Sequence, residues 1–361
     1  MYVRGIEVRN FRNYESAKAA FCQGVNVVQG QNAQGKTNLL EAVYICSIGR
    51  SPRVTRDKDL IKWNSPGAKI TLDVGKREGG VKIEIYFSDR ENKKILINGL
   101  PIMRIGELMG ALNCVFFSPD ELKIVKESPS DRRRFMDIDI SQMSKTYFYL
   151  LNRYNKILSQ RNKLLKTGNE SVTGETLPVW NAQLAETGAK IIVSRRRFIE
   201  KLKPLVSKEH QNLTEGKEDL LIEYDGIEGE TAADTAESFL KELKAAEKKD
   251  FKNGFTSVGP HKDDFSLKSG GVDLRLFGSQ GQQRTAALAL KLAELEIFAE
   301  ETGDYPVLLL DDVLSELDLD RQDKLIKRIK RVQTILTCTH LNAGFQAGEM
   351  KTFNIKEGRI I

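Results

Sequence analysis

The chain has 361 residues, 40% of them hydrophobic and 29% charged: enough apolar material for a packed core, and more length than one core usually organises, so two or three domains are expected. Lys and Arg number 56 against 50 Asp and Glu, a formal charge of +6 that suits a polyanionic partner without proving one. No apolar run of about 18 residues occurs, which excludes a membrane-spanning helix, and the scattered Cys22, Cys46, Cys114 and Cys338 exclude a structural zinc site or a disulfide scaffold.

The opening run Met1–Glu7 lacks the apolar core of a signal peptide, so a cytoplasmic location with reduced thiols is expected. The N-terminal part is strand-rich. Tyr2–Val8, Ala17–Phe21 and Val25–Val28 are short β-type runs, and an amphipathic helix fits Lys36–Ser47. Ile70–Val74 and Val81–Phe87 alternate with period two, and Asn98-Gly99 after Ile95–Ile97 signals a hairpin turn. This pattern predicts a mixed sheet with an antiparallel flap.

The character changes near Pro129. Apolar residues recur at helical spacing from Phe135 to Leu165, predicting one long amphipathic helix. A polar stretch, Lys166–Thr176, precedes a second helix from about Pro178, and an Ala-, Glu- and Lys-rich third helix spans Thr231–Lys248. Residues 129–250 read as an inserted helical arm between head segments 1–128 and 251–361. The heptad pattern does not persist, which argues against a long coiled coil. Beyond Phe251 a helix fits Gln282–Glu300. Pro306–Leu310 is a fully apolar strand suited to a buried parallel sheet, and helix Arg321–Val332 leads to strand Thr334–Thr337. The alternation makes the head α/β.

The strongest motif is Gly30-Gln31-Asn32-Ala33-Gln34-Gly35-Lys36-Thr37, a G-x-x-x-x-G-K-[ST] run with a strand before it and a helix after it. Glycines let successive backbone N–H groups curl around phosphates at the positive end of the helix. Lys36 would reach the β- and γ-phosphates of ATP and the Thr37 hydroxyl would ligate Mg²⁺. Such a loop needs a carboxylate at the end of a neighbouring buried strand, and Leu308-Leu309-Leu310-Asp311-Asp312 supplies it. Asp311 is expected to hold Mg²⁺, and Asp312 to position water or act as general base. The long separation of Lys36 from Asp311 implies an ATPase fold split by an insertion.

Further pieces resemble ATP-binding-cassette (ABC) ATPases. Ser279-Gln280-Gly281-Gln282-Gln283-Arg284 is similar to the S-G-G-Q signature, Asp311–Asp318 to the strand-end acids and D-loop, and His340 to the H-loop histidine. Asn10-Phe11-Arg12-Asn13 resembles the basic loop that SMC-type heads place over nucleotide phosphates. The resemblance therefore adds Arg12, Asn13, Ser279, Gly281 and Gln282 to the nucleotide contacts and His340 to the catalytic group. Two departures stand out: Ser118-Pro119-Asp120-Glu121 offers no Q-loop glutamine, and Asp312 replaces the usual catalytic Glu, one methylene shorter.

The whole chain resembles the RecF family of bacterial recombination-mediator ATPases. The residues that carry this are the P-loop wording, Phe117–Leu122, Ser130–Phe135, Gly259-Pro260-His261-Lys262-Asp263-Asp264 and Gly278–Arg284. The resemblance implies an ABC-type P-loop ATPase head split by a compact helical arm, weak DNA-stimulated ATP hydrolysis, and an ATP-dependent homodimer on DNA. The DNA would be duplex or single-/double-strand junctions, read with little sequence specificity. It also implies work with RecR and RecO in loading RecA at gaps, and hence roles in replication restart and the SOS response. For DNA the residues themselves offer three basic clusters: Arg50, Arg53 and Arg56; Arg132, Arg133 and Arg134; and Arg195, Arg196 and Arg197. An ABC-transporter nucleotide-binding subunit would share the motifs but not the large insertion, and a P-loop phosphotransferase would lack the signature run.

Overall fold

The computed structural model describes residues 1–77, 79–167, 170–340 and 348–361, with the backbone alone for 170–175, 316 and 319. Part of the polar stretch expected at 166–176 thus lies outside the described residues. The chain divides into two compact units, Met1–Leu122 with Leu290–Ile361, and Lys123–Ala289.

In chain order, strands β1 (Tyr2–Phe11) and β2 (Tyr14–Ala20) form a hairpin, and β3 (Val25–Gln29) leads through the glycine loop into α1 (Lys36–Ile48). Then come β4 (Gly67–Lys76), β5 (Gly79–Ser88), β6 (Lys94–Ile97), β7 (Leu100–Pro101) and β8 (Cys114–Phe117). The helices α2 (Lys123–Lys126), α3 (Pro129–Met143), α4 (Lys145–Lys166) and α5 (Glu170–Thr214) follow. After them run β9 (Leu221–Asp225), α6 (Ala232–Asn253), β10 (Asp264–Ser269), β11 (Val272–Asp273), α7 (Leu274–Phe277) and α8 (Gln280–Thr302). The chain closes with β12 (Val307–Asp311), α9 (Leu319–Ile329), β13 (Thr334–Cys338), β14 (Met350–Lys356) and β15 (Arg359–Ile360).

The first unit holds two six-stranded sheets where the sequence suggested one mixed sheet with a flap. One is antiparallel, in the order β2-β1-β4-β5-β6-β7. The other, β15-β14-β3-β13-β12-β8, is parallel apart from its β15 edge. All five residues of β12 are buried, as the continuous apolar run requires. Helix α1 touches strands of both sheets. It is therefore buried from Leu39 to Ser47 without a polar face, and the amphipathic reading of this segment is corrected.

In the second unit the single helix expected over 135–165 is two. Ser144 adopts extended backbone (φ −140°, ψ 105°), ends α3, and accepts a hydrogen bond from Tyr147 N as the N-cap of α4. Helix α5 begins before Pro178 and carries both Pro178 and Pro204 inside it. Thr231 is the cap of α6 rather than its first residue: it forms a reciprocal capping box with Asp234, and Gly254 (φ 72°) closes the other end. The unit also contains strands that the all-helical reading omitted. The three-stranded sheet β11-β10-β9 pairs Leu267 with Ile222 and Phe265 with Tyr224, so residues beyond 250 stay with the helices, up to Ala289.

Candidate functional site

The glycine loop begins where β3 ends, and steric facts explain its composition. A Cβ on Gly30 would lie 2.4 Å from the Ile355 carbonyl oxygen, and one on Gly35 would lie 2.7 Å from the Asn13 amide, where φ is also +115°. Ala33 takes the left-handed conformation (φ 64°) between them. The loop is braced from outside. Asn13 Nδ2 donates to the Gln34 carbonyl (2.8 Å), Tyr14 Oη to the Gly35 carbonyl (2.9 Å), and Gly358 N to the Gln34 carbonyl (3.1 Å). Glu357 N donates to Gln34 Oε1 at 2.6 Å. Lys36 is 5% exposed, and its ammonium donates to the carbonyls of Gly30 (2.6 Å) and Gln31 (3.1 Å), which draws it back across the loop.

Strand β13 lies between β3 and β12, so the ends of three parallel strands meet beside the loop. Across 274 positions of sequence, Thr37 Oγ1 donates to Asp311 Oδ1 at 2.9 Å. Thr337 Oγ1 donates to the same oxygen at 2.7 Å and accepts from Asp312 N at 2.9 Å. Burial raises the Asp311 pKa, opposed by the Thr337 and Thr37 hydroxyls and by the charge of Arg53. Asp312 is a non-glycine residue in the left-handed region (φ 55°), a conformation that turns the chain sharply out of β12. Thr337 belongs to no motif and was legible only as the last residue of an apolar strand. The hard oxygen donors of Thr37 and Asp311, next to a loop with curled backbone, fit a nucleotide-bound Mg²⁺.

Other expected contacts are placed differently. Arg12 is not a free cation: Nε and Nη2 donate to both oxygens of buried Glu41 (2.9 and 2.7 Å) and Nη1 to the Asp59 carbonyl (3.0 Å). Glu41 also accepts from Ser51 at 2.5 Å. Asn13 accepts from Asn38 Nδ2 (2.9 Å) while holding Gln34, so it clamps the loop backbone. Arg53, grouped above with a DNA cluster, donates to Asn38 Oδ1 (3.0 Å) and lies 3.7 Å from Glu41, beside the loop helix. At the position of the missing Q-loop glutamine, Glu121 pairs with Lys291 of α8 at 3.0 Å. His340 is exposed beyond β13 and has no hydrogen bond to any described residue. Residues 341–347 after it, and the Glu316 side chain of the D-loop run, lie outside the described set.

In the second unit, Ser279 and Gln282 form a reciprocal pair at the start of α8: Gln282 Oε1 accepts from Ser279 N (2.9 Å) and Ser279 Oγ from Gln282 N (3.2 Å). Ser279 and Gly281 are exposed, while Gln282 is half-buried. The two triple-arginine runs offered for DNA divide by burial, which removes Arg132 and Arg195 from the accessible cations. Arg132 is 3% exposed and bidentate to Asp264 (2.6 and 2.9 Å). Arg195 is 2% exposed and donates to Asp137 (2.8 Å), Asp263 (3.3 Å), Tyr147 Oη (3.1 Å) and the Pro260 carbonyl (2.5 Å). Arg133 donates to the Asp263 carbonyl at 2.8 Å, and Arg196 to the Gly229 and Ile227 carbonyls. Arg134 and Arg197 are exposed, as are Arg50 and Arg56 of the first unit. The run Gly259–Asp264 is thus the hub of a buried polar network. In it, His261 Nε2 donates to the Thr256 carbonyl (3.0 Å) and Nδ1 accepts from Tyr154 Oη (2.7 Å), and burial lowers the His261 pKa from 6.5 to about 4.

The comparisons with known proteins agree with this geometry. The model of the RecF/RecN/SMC N terminal domain matches residues 2–357. The chain is 43% identical over 362 residues to the DNA replication and repair protein RecF of Clostridium perfringens (strain SM101 / Type A), covering 100% of this chain and 99% of that one. It is 46% identical over 341 residues to the RecF of Clostridium novyi (strain NT), covering 94% of each chain. A solved structure of the recombination mediator protein RecF-ATP in the RecFOR pathway superposes with a TM-score of 0.93 at 40% identity, covering 100% of this chain and 97% of that chain. With an ABC-type ATPase head and relatives 43% and 46% identical over nearly the whole chain, the chain belongs to the RecF family.

Proposed function

We propose that this chain is an ATP-gated DNA-binding clamp of the RecF type, a recombination mediator acting at gaps in DNA. The observation that carries the reading is the Thr37–Asp311 contact at 2.9 Å, which unites the two halves of a nucleotide site from opposite ends of the sequence. Backbone N–H groups of Gly30–Lys36 at the start of α1 would take the phosphates of ATP, with the Lys36 ammonium leaving the Gly30 and Gln31 carbonyls for the β- and γ-phosphates. A Mg²⁺ ion held by Thr37 and Asp311 would supply positive charge between those phosphates. Asp312, turned out of β12, would orient the attacking water and accept its proton, with His340 as a second polar contact there. The shorter Asp312 side chain is consistent with slow hydrolysis that acts as a timer.

The exposed Ser279–Gln282 box at the start of α8 is suited to bind the nucleotide of a second copy, giving a two-fold dimer closed by ATP. DNA would then be held through its phosphates, with little base readout and with stimulation of hydrolysis. Work with RecR and RecO, RecA loading and a cytoplasmic location follow from the same reading. Gel filtration with and without ATP–Mg²⁺ and duplex DNA tests it: a dimer that forms only with ATP and retains DNA is expected. A chain that stays monomeric and takes up no nucleotide would overturn it.

A further inference from the structure

Among the described residues of the first unit, the most exposed large apolar side chain is Trp63, at 92%. An indole left in water forfeits the burial that its area would gain, so a rigidly displayed one is a feature that needs a use. The display is rigid. Lys62 N donates to the Asn10 carbonyl (2.8 Å), Arg12 N to the Leu60 carbonyl (2.8 Å), and Phe11 bridges to Ile61. Leu60 is 0% and Ile61 7% exposed, so the segment is nailed to β1 by its core residues. A turn then closes from Ser65 N to the Lys62 carbonyl (3.0 Å), with Asn64 in the left-handed region (φ 64°). The turn holds Trp63 at its apex.

The surroundings state the chemistry of the partner. Within its turn Trp63 is flanked by polar Lys62, Asn64 and Ser65, so it is a single aromatic face set in polar chain rather than part of an apolar run. The same ordered segment, from the end of α1 to β4, exposes Arg50, Arg56 and Lys58. Cations that follow a phosphate backbone, combined with an aromatic face open to any base, are the two elements of a single-strand binding site. We infer that Trp63 is a stacking platform for an unpaired base of single-stranded DNA, with these cations on the flanking phosphates. On this inference, which rests on the DNA-clamp reading, the chain discriminates gapped or tailed DNA from blunt duplex, because only an unpaired base can reach the indole.

The sequence makes the test direct, since it contains only two tryptophans, Trp63 and Trp180. In Trp180→Phe, Trp63 is the sole indole reporter. Its emission is expected to be quenched on titration with oligo-dT or a tailed duplex in the presence of ATP–Mg²⁺, and to stay constant with blunt duplex. Trp63→Ala in the otherwise native chain is expected to weaken tailed-DNA binding by about 5- to 150-fold, the worth of one stacked base, and to leave blunt-duplex affinity unchanged. Trp63→Phe should recover part of the loss. Equal affinities of Trp63→Ala and native chain for tailed DNA, or equal losses for tailed and blunt DNA, would overturn the stacking role while leaving the clamp reading intact. Absence of affinity for any DNA would overturn both.

Discussion

Arg195 and Arg197 stand two positions apart in one basic run, and the structure assigns them opposite work. The side chain of Arg195 is 2% exposed, and it faces Asp263, whose side chain is 3% exposed, and Asp137, whose side chain is 22% exposed. Replacing Arg195 with Ala removes donors to both carboxylates and to the Pro260 carbonyl, and strands Asp263, whose pKa burial already raises. Breaking one side of a buried pair costs about 3–5 kcal/mol. For a unit of this size that is a fall in melting temperature of about 6–20 °C. Arg197 is exposed, so Arg197→Ala is expected to leave the melting temperature unchanged. If it meets a DNA phosphate, the slope of log K against log[salt] becomes shallower by about 1. Calorimetry and DNA titrations over a salt series read the two effects separately. An Arg195→Ala protein that melts like the native chain would refute the buried-network account, as would one whose salt slope changes as much as that of Arg197→Ala while its stability holds.

Asp311→Asn is expected to impair Mg²⁺-dependent ATP binding, whereas Asp312→Asn should still bind ATP and fail to hydrolyse it; identical behaviour in equilibrium dialysis and phosphate release would end that division of roles. His261 sits in a hydrogen-bonded, neutral state with a pKa near 4 instead of 6.5, so the unfolded chain binds its proton first as pH falls. Its contribution is whole above pH 6.5 and is lost as pH drops towards 4, a total of about 3 kcal/mol, and the melting temperature of His261→Asn should be flatter across that window. Ser279→Arg should leave ATP binding by the monomer intact and abolish ATP-dependent dimerisation in sedimentation; a normal dimer would reduce Ser279 to a helix cap worth about 1 kcal/mol.

What could be read from the sequence was local. Gly30–Thr37 and Leu308–Asp312 announce themselves because loop curvature and strand burial impose composition on a short run. What could not be read depended on distant partners. Arg132 and Arg195 read as DNA candidates because their carboxylates lie 132 and 68 positions away, at the start of β10 and just before it. The break at Ser144 was hidden because the apolar spacing continues on both sides of a single cap. Strand β9 is five residues long, with Glu223 and Asp225 beside Leu221 on its exposed side, and only its pairing with β10 makes it a strand. Helix α1 looked amphipathic because Lys36 and Glu41 are polar, yet both are buried, committed to the loop carbonyls and to Arg12.

The β3 strand is flanked on both sides by strands from the far end of the chain: Val25 aligns with Thr334 of β13 on one side and with Met350 of β14 on the other. On a ribosome, β3 is therefore made about 300 residues before the strands that flank it. The contiguous unit Lys123–Ala289 meets its own partners as it emerges and can close first. The nascent head must meanwhile keep β3 and the largely buried α1 from mispairing, and its phosphate cradle becomes complete only when Gly358 reaches Gln34. The cradle is thus finished only by residues 323 positions downstream of its own loop, where Glu357 N reaches Gln34 Oε1.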